Sequence, residues 1–454
     1  MRKRFLLTLC LTMLSPLARA ADQPPNIVIL LADDLGWGEL GFNGRTEWQT
    51  PHIDRLASQG TRFRRWYSGG AVCAPSRAVL LTGKYTIHNG VSVNGADLPT
   101  GEVTIAEALK PRGYVTGLFG KWHHGAPRAG QTTYVHPMDQ GFDEFFGFTN
   151  AREAWEHFPK KLWLGRDERP VSGYADALFS DHAIDFMRRH RDQPFFLYVA
   201  YTAPHRKIEA PAEDIAEHRG KFREKDPAKP LYATYAAQIT RLDKEVGRLV
   251  KALDELQLRE RTIVMFMSDQ GATFETDTIS AAAFHDSNRP FRGQKRNLWE
   301  GGVRVPAVVR WPGQVPAGVV SSAMTHMMDV LPSLVSAAGG VPSPPWRVDG
   351  TNMLPVWLGR EKAPARTLFF EWRSENYNQI AAMRGDLKLV ITGDNPPELF
   401  NVETDLAERR TLAAENPQLV RELRQALKEW LATETEDSKE GNRRRTSQSG
   451  GGRR

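Results

Sequence analysis

What most constrains this chain is a recurring pair: a short unbroken apolar run, then a helical pattern. The runs are NIVILLADD from Asn26, YVTGLFGKWH from Tyr114, PFFLYVAYTAPH from Pro194, TIVMFMSDQG from Thr262 and VRVPAVVRWPG from Val303. None alternates strictly between polar and apolar residues, so each fits a strand buried on both faces. TIAEALKPRGY reads as a helix ending before Gly113, and ALFSDHAIDFMRRH as an amphipathic helix. From Leu231 to Leu256, apolar residues recur at Tyr235, Ile239, Leu242, Val246, Leu249 and Leu253, which is helical spacing. Strands alternating with helices predict an α/β fold, a parallel or mixed sheet with helices on both faces.

After Ala338 the pattern changes. GGVPSPPWRVDG is rich in Gly and Pro and reads as a connection. TLFFEWR, AAMRGDLKLVIT and ELFNVETD follow as three strand-like pieces. Asn416 and Pro417 suit an N-cap and a first helical position. Leu419, Leu423, Leu427 and Trp430 give the last helix one apolar face. These pieces form a small α+β unit of roughly 70 residues, below the usual domain size. The expected organisation is a leader over 1–20, a large domain over 21–340, a small unit over 341–435 and a basic, disordered tail over 436–454.

The leader, MRKRFLLTLCLTMLSPLARA, has a basic start, an apolar run from Phe5 to Leu14 and the small-x-small pattern Ala18-Arg19-Ala20. That is a secretory signal peptide. Its apolar run is too short to span a bilayer, and no later segment is apolar enough. Leu9 stands before Cys10 where a lipoprotein signal wants a small residue, which speaks against a lipid anchor. An exported protein, periplasmic or secreted, with no transmembrane segment, is expected. The formal charge of +6 misleads, because four positives sit in the first twenty residues and five in the tail NRRRTSQSGGGRR; the body between carries −3. No basic patch stands out of the kind a nucleic-acid partner needs. A hydrophobic content of 41% and a charged content of 25% suit an ordinary globular chain.

Of the two cysteines, Cys10 lies in the leader, so Cys73 has no partner for an internal disulfide. It sits in GGAVCAPSRAVLLTG, where Pro75 suits the first turn of a helix and Gly83 its end. Cys73 is then at the helix N-terminus, with Ser76 and Arg77 in the first turn. Free N–H groups and the dipole favour an anion there and are expected to lower the thiol pKa. A buried structural cysteine is the bland alternative; Arg77 and the Gly-rich approach from Ser68 speak against it. Two apolar runs end in acids, at Asp33-Asp34 and at Asp269-Gln270. Ligands bind beyond the carboxyl ends of such strands, and three carboxylates with an amide oxygen suit Ca2+ or Mg2+. That each Asp merely caps a loop or helix stays open at this point. Lys121 and His123 follow one strand, His205 follows another, and Lys295 lies in RGQK. Such cations beside a metal and a helix N-terminus make a pocket for a tetrahedral oxyanion.

Taken together, these segments resemble the formylglycine-dependent sulfatases of the alkaline-phosphatase superfamily. Cys73-Ala74-Pro75-Ser76-Arg77 followed by LLTG matches the family's modification signal. GKWH at 120–123, APH at 203–205 and WEGGVRVPAVVRWPG at 299–313 follow in the family's order, so the resemblance covers nearly the whole mature chain. It implies an alkaline-phosphatase-like fold: a large mixed, mostly parallel sheet sandwiched by helices, with a small C-terminal α+β subdomain. It implies a sulfuric ester hydrolase in which a formylglycine-generating or sulfatase-maturing enzyme oxidises Cys73 to formylglycine. One hydroxyl of hydrated residue 73 then attacks the sulfur. Asp33, Asp34, Asp269 and Gln270, with residue 73, hold Ca2+ (or Mg2+). Arg77 steadies the hydrate, and Lys121 and Lys295 neutralise the sulfuryl oxygens. His205, with Lys295, protonates the leaving alcohol, and His123 takes the proton of the second hydroxyl. Two positions depart from the common pattern. Gln270 stands where the family often has Asn, and His124 doubles His123.

A phosphomonoester or phosphonate hydrolase of the same superfamily is the rival enzyme. If Cys73 stays unmodified, a catalytically silent anion- or glycan-binding protein is the other rival. The expected substrate is a sulfated carbohydrate or a small aryl sulfate. Loops 151–165 and 274–293 are expected at the pocket rim. There Trp155 and His157 would stack on or hydrogen-bond a sugar, and Arg289 would bind a second acidic group.

Overall fold

The computed structural model describes residues 23–126, 134–273, 275, 279–374, 377–436 and 438–439. The leader, all but three residues of the 436–454 tail, and positions 274 and 276–278 of the second rim loop lie outside the described residues.

Five parallel strands form the middle of a ten-stranded sheet: Thr262–Ser268, Asn26–Ala32, Phe195–Ala200, Val115–Lys121 and Glu144–Phe148, in that spatial order. Every residue of Asn26–Ala32 is buried, which is why its sequence shows no alternation. Its side chains still divide by parity. Ile27, Ile29 and Leu31 enter one core with the helix Cys73–Thr82. Val28 and Leu30 enter a second core with the helices Ala175–Arg189 and Leu231–Glu255. All six apolar positions predicted for the long helix are buried. The sheet is mixed at its flanks. Ala307–Arg310 runs antiparallel to Thr262–Ser268, and Lys161–Leu164 antiparallel to Glu144–Phe148.

The C-terminal unit differs from its sequence reading in three places. AAMRGDLKLVIT is not one strand but two, Asn378–Arg384 and Leu387–Thr392, in a four-stranded antiparallel sheet. The two-residue turn Gly385-Asp386 joins them, and Gly385 has φ +61°, a conformation glycine adopts without penalty. Asn416 precedes the helix Pro417–Leu431, but its side chain donates to the Leu412 carbonyl at 3.0 Å instead of capping. On that helix Val420, rather than Leu419, joins Leu423, Leu427 and Trp430 in the buried face.

A buried ionic cluster ties this sheet to the large one. Lys388 reaches Glu300 at 2.8 Å and Glu408 at 3.1 Å, and Arg304 reaches Glu300 at 3.2 Å. Glu300 opens the short helix Glu300–Val303, which backs onto Gly271: the Gly271 N–H donates to the Gly302 carbonyl at 3.1 Å. A Cβ at 271 would lie 1.8 Å from the Gly301 carbonyl oxygen, so this approach demands glycine. The C-terminal unit thus braces the segment that carries Asp269 and Gln270. Among the described residues no helix is long and apolar enough to cross a membrane.

Candidate active site

Four adjacent strands of the sheet deliver the site from their carboxyl ends. Asn26–Ala32 runs into Asp33 and Asp34, and Thr262–Ser268 into Asp269 and Gln270. Val115–Lys121 ends at Lys121 just before His123, and Phe195–Ala200 leads to His205. Asp34 and His123 both have positive φ, +64° and +70°, sparsely populated for such residues and recurrent at active sites. The turn at Asp34 is held by two bonds: its N–H donates to Asp269 Oδ1 at 3.1 Å, and the Leu35 N–H to Ser268 Oγ at 2.9 Å.

Cys73 begins its helix as read from the sequence, and Gly83 ends it with φ +68°. Ligand atoms of Asp33, Asp34, Cys73 and His205 all lie within 4.8 Å of one another. Gln270 Nε2 is 3.2 Å from Cys73 Sγ and donates to Asp34 Oδ1. The lowered thiol pKa expected from the helix N-terminus is overturned. Burial pushes the Cys73 thiol up to about 12; Lys121 and Lys295 pull it down, while Asp33 and Asp269 push it further up. The helix end is also partly spent, since the Ala74 N–H donates to Asn94 Oδ1 at 3.0 Å.

The cations pair with the acids. Lys121 Nζ lies 2.6 Å from Asp33 Oδ2, and Arg77 Nε and Nη2 each lie 2.9 Å from Asp269 Oδ2. Lys295 Nζ contacts Asp34 Oδ2 at 2.9 Å, His205 Nε2 at 3.0 Å and Glu275 Oε1 at 3.1 Å. Burial works to raise Asp33, but Lys121, then His205, Arg77 and Lys295, hold it well below the usual carboxylate range. Burial raises Asp34, against the pull of Lys295. Burial and the nearby Asp33 charge bring Asp269 to about 7.

These residues fit a hard dication. Asp33 Oδ1 and Gln270 Oε1 are buried oxygens without a hydrogen-bond partner, beside two further carboxylates. Unpaired buried acceptors are costly, and a cation bound among them removes that cost. The extra carbon of Gln270 does not keep it from the cluster, since its amide already touches Asp34 and Cys73. Turning that amide exchanges its nitrogen and oxygen and presents an acceptor to the same place.

The histidines sort themselves by position. His205 Nδ1 lies 3.1 Å from the Arg206 carbonyl and must carry its hydrogen there, so Nε2 accepts from Lys295. Burial, then Lys295, holds its pKa well below the ordinary histidine value. His123 lines the same cavity as Cys73 and is likewise held low, by burial, Lys121 and Arg77. His124 is fully buried edge-on to Trp122 at 5.0 Å, and burial takes it to about 3. The doubled histidine therefore has one member in the cavity and one in the core.

Two rim expectations are corrected. His157 is fully buried, stacked on Tyr174 at 5.8 Å, with Nε2 3.1 Å from the His205 carbonyl. It props the His205 loop and is closed to a sugar. Arg289 pairs with Glu47 at 2.8 and 2.9 Å and does not line the cavity. Trp155 does line it, with the Arg206 guanidinium 4.3 Å over its ring, so one ring face is taken. The cavity, about 630 Å³, is also lined by Asn94, Arg152, Glu275 and Arg296, which sequence reading missed. Arg152 lies in the first rim loop and Glu275 in the FETD stretch of the second; Asn94 stands in no motif.

A family model described as Sulfatase matches residues 25–341, and one described as N-sulphoglucosamine sulphohydrolase, C-terminal, matches residues 292–437. N-acetylgalactosamine-6-sulfatase of Canis lupus familiaris is 35% identical over 407 residues, covering 83% of this chain and 71% of that one. Steryl-sulfatase of Mus musculus is 29% identical over 523 residues, covering 90% and 82%. The crystal structure of Ps i-CgsB in complex with k-i-k-neocarrahexaose superposes with a TM-score of 0.83 at 30% identity, over 92% of this chain and 94% of that one. The phosphonate monoester hydrolase of Agrobacterium radiobacter shares the fold alone, at a TM-score of 0.65 and 20% identity over 90% and 96% of the two chains. Matched along its α/β body by the family model and over most of its length by named sulfatases, the chain belongs to the sulfatase family of the alkaline-phosphatase superfamily and hydrolyses sulfate esters.

Proposed function

We propose that this enzyme removes sulfate from a sulfated carbohydrate, with residue 73 acting as formylglycine and with Asp33, Asp34, Asp269 and Gln270 holding Ca2+ or Mg2+. The observation that carries the reading is the position of Cys73. It opens a fully buried helix inside a cluster of acidic oxygens and lines a cavity with Lys121, His123, His205 and Lys295. The carbohydrate half rests on the relatives, an N-acetylgalactosamine-6-sulfatase and a protein crystallised with a neocarrahexaose. Cys73 is only 1% exposed, so a maturing enzyme would reach it before the chain folds. The leader fits that order of events, with export of the protein to the periplasm or beyond. The domain division at 340–341 belongs to the same reading.

The formylglycine hydrate supplies two hydroxyls on one carbon, one to attack sulfur and one through which sulfate is expelled, and the dication supplies Lewis-acid polarisation. Lys121 and Lys295 bring positive charge to the sulfuryl oxygens. Arg77, locked on Asp269, holds the carboxylate array in place. Lys295 and His205 form the proton path to the leaving oxygen: the ammonium donates to His205 Nε2 at 3.0 Å, so Lys295 supplies the proton that Nε2 passes on. His123, held neutral, is the acceptor for a proton from residue 73.

The test is a sulfate-release screen on sulfated saccharides, aryl sulfates and aryl phosphates, with enzyme whose residue 73 has been verified by mass. Sulfated saccharides should give the highest kcat/KM. An aryl phosphate turned over faster than every sulfate would transfer the reading to the phosphohydrolase. Full activity with an unmodified Cys73 would remove the formylglycine. His205→Ala gives a sharper check. General-acid assistance supplies about 10²–10⁴-fold, and a sugar alkoxide needs it far more than a phenolate. The variant should lose most of that range on sugar sulfates and much less on an aryl sulfate with a good leaving group. Equal losses on both would move the acid elsewhere.

A further inference from the structure

The chemistry above gives no task to Arg152. Arg152 lines the cavity that holds Cys73, and its side chain is exposed. Among the described residues its guanidinium has no carboxylate or other acceptor. The acids beside it in sequence are committed: Glu153 accepts from Thr149 Oγ1 at 3.4 Å, and Glu156 pairs with Lys207 at 2.6 Å. The backbone under it is fixed. Asn150 Oδ1 accepts the Glu153 N–H at 2.9 Å, and the Trp155 N–H returns to the Arg152 carbonyl at 3.3 Å. Arg296 lines the same cavity, and Glu275, 3.5 Å from it, also takes Lys295 at 3.1 Å. Among the described residues, Asp97 is the other acid in the lining.

The sulfate ester being cleaved needs Lys121 and Lys295, which stand deep beside Asp33 and Asp34. It does not need a guanidinium at the rim. An arginine fork matches two oxygens of one anionic group, which a lysine cannot do as well. At about 630 Å³, the cavity falls within the roughly 300–1,000 Å³ range of ligand clefts.

We infer that Arg152, seconded by Arg296, forms a subsite for a second anionic group on the substrate, a sulfate or a carboxylate carried by the same sugar or its neighbour. The preferred substrate is then a polyanionic saccharide. The inference rests on the carbohydrate reading under Proposed function and narrows it. It also moves the role expected of Arg289 to a different arginine.

The test measures kcat/KM on three disaccharides: one with a single sulfate, one with two sulfates, and one with a single sulfate and a uronate. Wild type is set beside Arg152→Gln and Arg152→Lys. Wild type should prefer at least one of the two dianionic substrates. Which one it prefers identifies the second group as sulfate or carboxylate. Arg152→Gln should lose roughly tenfold or more on that substrate, mainly in KM, the scale of one charge-assisted hydrogen-bond pair. Its loss on the singly charged disaccharide should be several times smaller. Arg152→Lys should fall between, and the wild-type preference should shrink as salt rises. Turnover of all three sugars with the same selectivity in wild type and Arg152→Gln overturns the subsite and leaves the carbohydrate reading intact. Turnover of aryl sulfates with none of the sugars overturns the carbohydrate reading, and the subsite with it.

Discussion

Cys73→Ser, produced beside a maturing enzyme that acts on cysteine and verified by mass to keep the substituted side chain unoxidised, should release at most one alcohol or phenol per active site and no free sulfate. Serine is close in volume to cysteine, and the site is buried at 1% exposure, so the fold has little reason to change. Gln270 Nε2, now 3.2 Å from the sulfur, can donate to a hydroxyl in its place. Attack therefore remains open to the variant. What it lacks is a second oxygen on the same carbon. Transfer of the sulfuryl group to the introduced hydroxyl would leave a stable ester whose release needs water at sulfur, with no carbonyl to form as the S-bound oxygen departs. The expected record is a peptide spanning residue 73 that is heavier by one SO3 after incubation with an aryl sulfate, with no sustained turnover. Cys73→Ala should show neither product nor adduct. Sustained turnover by the serine variant near the wild-type rate would refute the two-hydroxyl mechanism.

Much of this site is legible in the sequence, for a physical reason. A parallel sheet places the carboxyl ends of its strands side by side, so acids and cations that each end an apolar run must meet. Asp33, Asp34, Lys121, His205, Asp269 and Gln270 all follow that rule, and Cys73 joins them because its helix packs against the same sheet. What sequence alone did not settle is facing. His157 and Arg289 lie in the loops expected at the rim, yet one stacks inward on Tyr174 and the other turns to Glu47. Loop membership constrains where a backbone runs, whereas a side chain goes to whichever partner it finds. The thiol misled for a related reason. A helix N-terminus lowers a pKa only where the group stays solvated or gains net positive surroundings, and Cys73 is desolvated among carboxylates. The hairpin inside AAMRGDLKLVIT had a local signal, Gly385-Asp386 between two apolar stretches. Arg152 had only its place in the first rim loop, because a rim arginine without a partner looks like any exposed one.

Asp33→Asn should cost the enzyme its dication and, with it, activity by on the order of 10³-fold or more, the scale of losing Lewis-acid stabilisation worth several kcal/mol. The substitution is nearly isosteric, so the argument turns on donors and acceptors. Asp33 Oδ2 takes Lys121 Nζ at 2.6 Å and faces Arg77 Nη2 at 3.5 Å, while Oδ1 is buried with no partner. An amide can be placed two ways. With its NH2 toward Lys121, two donors meet in a buried pocket. With its NH2 in the Oδ1 position, a donor stands where the cation needs an acceptor. Neither orientation restores the carboxylate, and the negative charge that draws in Lys121 is gone in both. Gln270→Asn is the contrasting variant: it keeps an amide oxygen and removes only one carbon of reach, so its losses should be far smaller. Calorimetric titration of each protein with Ca2+ and with Mg2+ reads the cation directly, apart from any turnover. Thermal melting with and without the ion reads the coupling to stability, since a ligand that binds only the folded state raises Tm. Wild type should melt higher when loaded, Gln270→Asn should keep most of that increment, and Asp33→Asn should keep little of it. An Asp33→Asn protein that binds Ca2+ as tightly as wild type, or a wild type that works fully after chelation with no dication left by metal analysis, would show that these oxygens hold no catalytic metal.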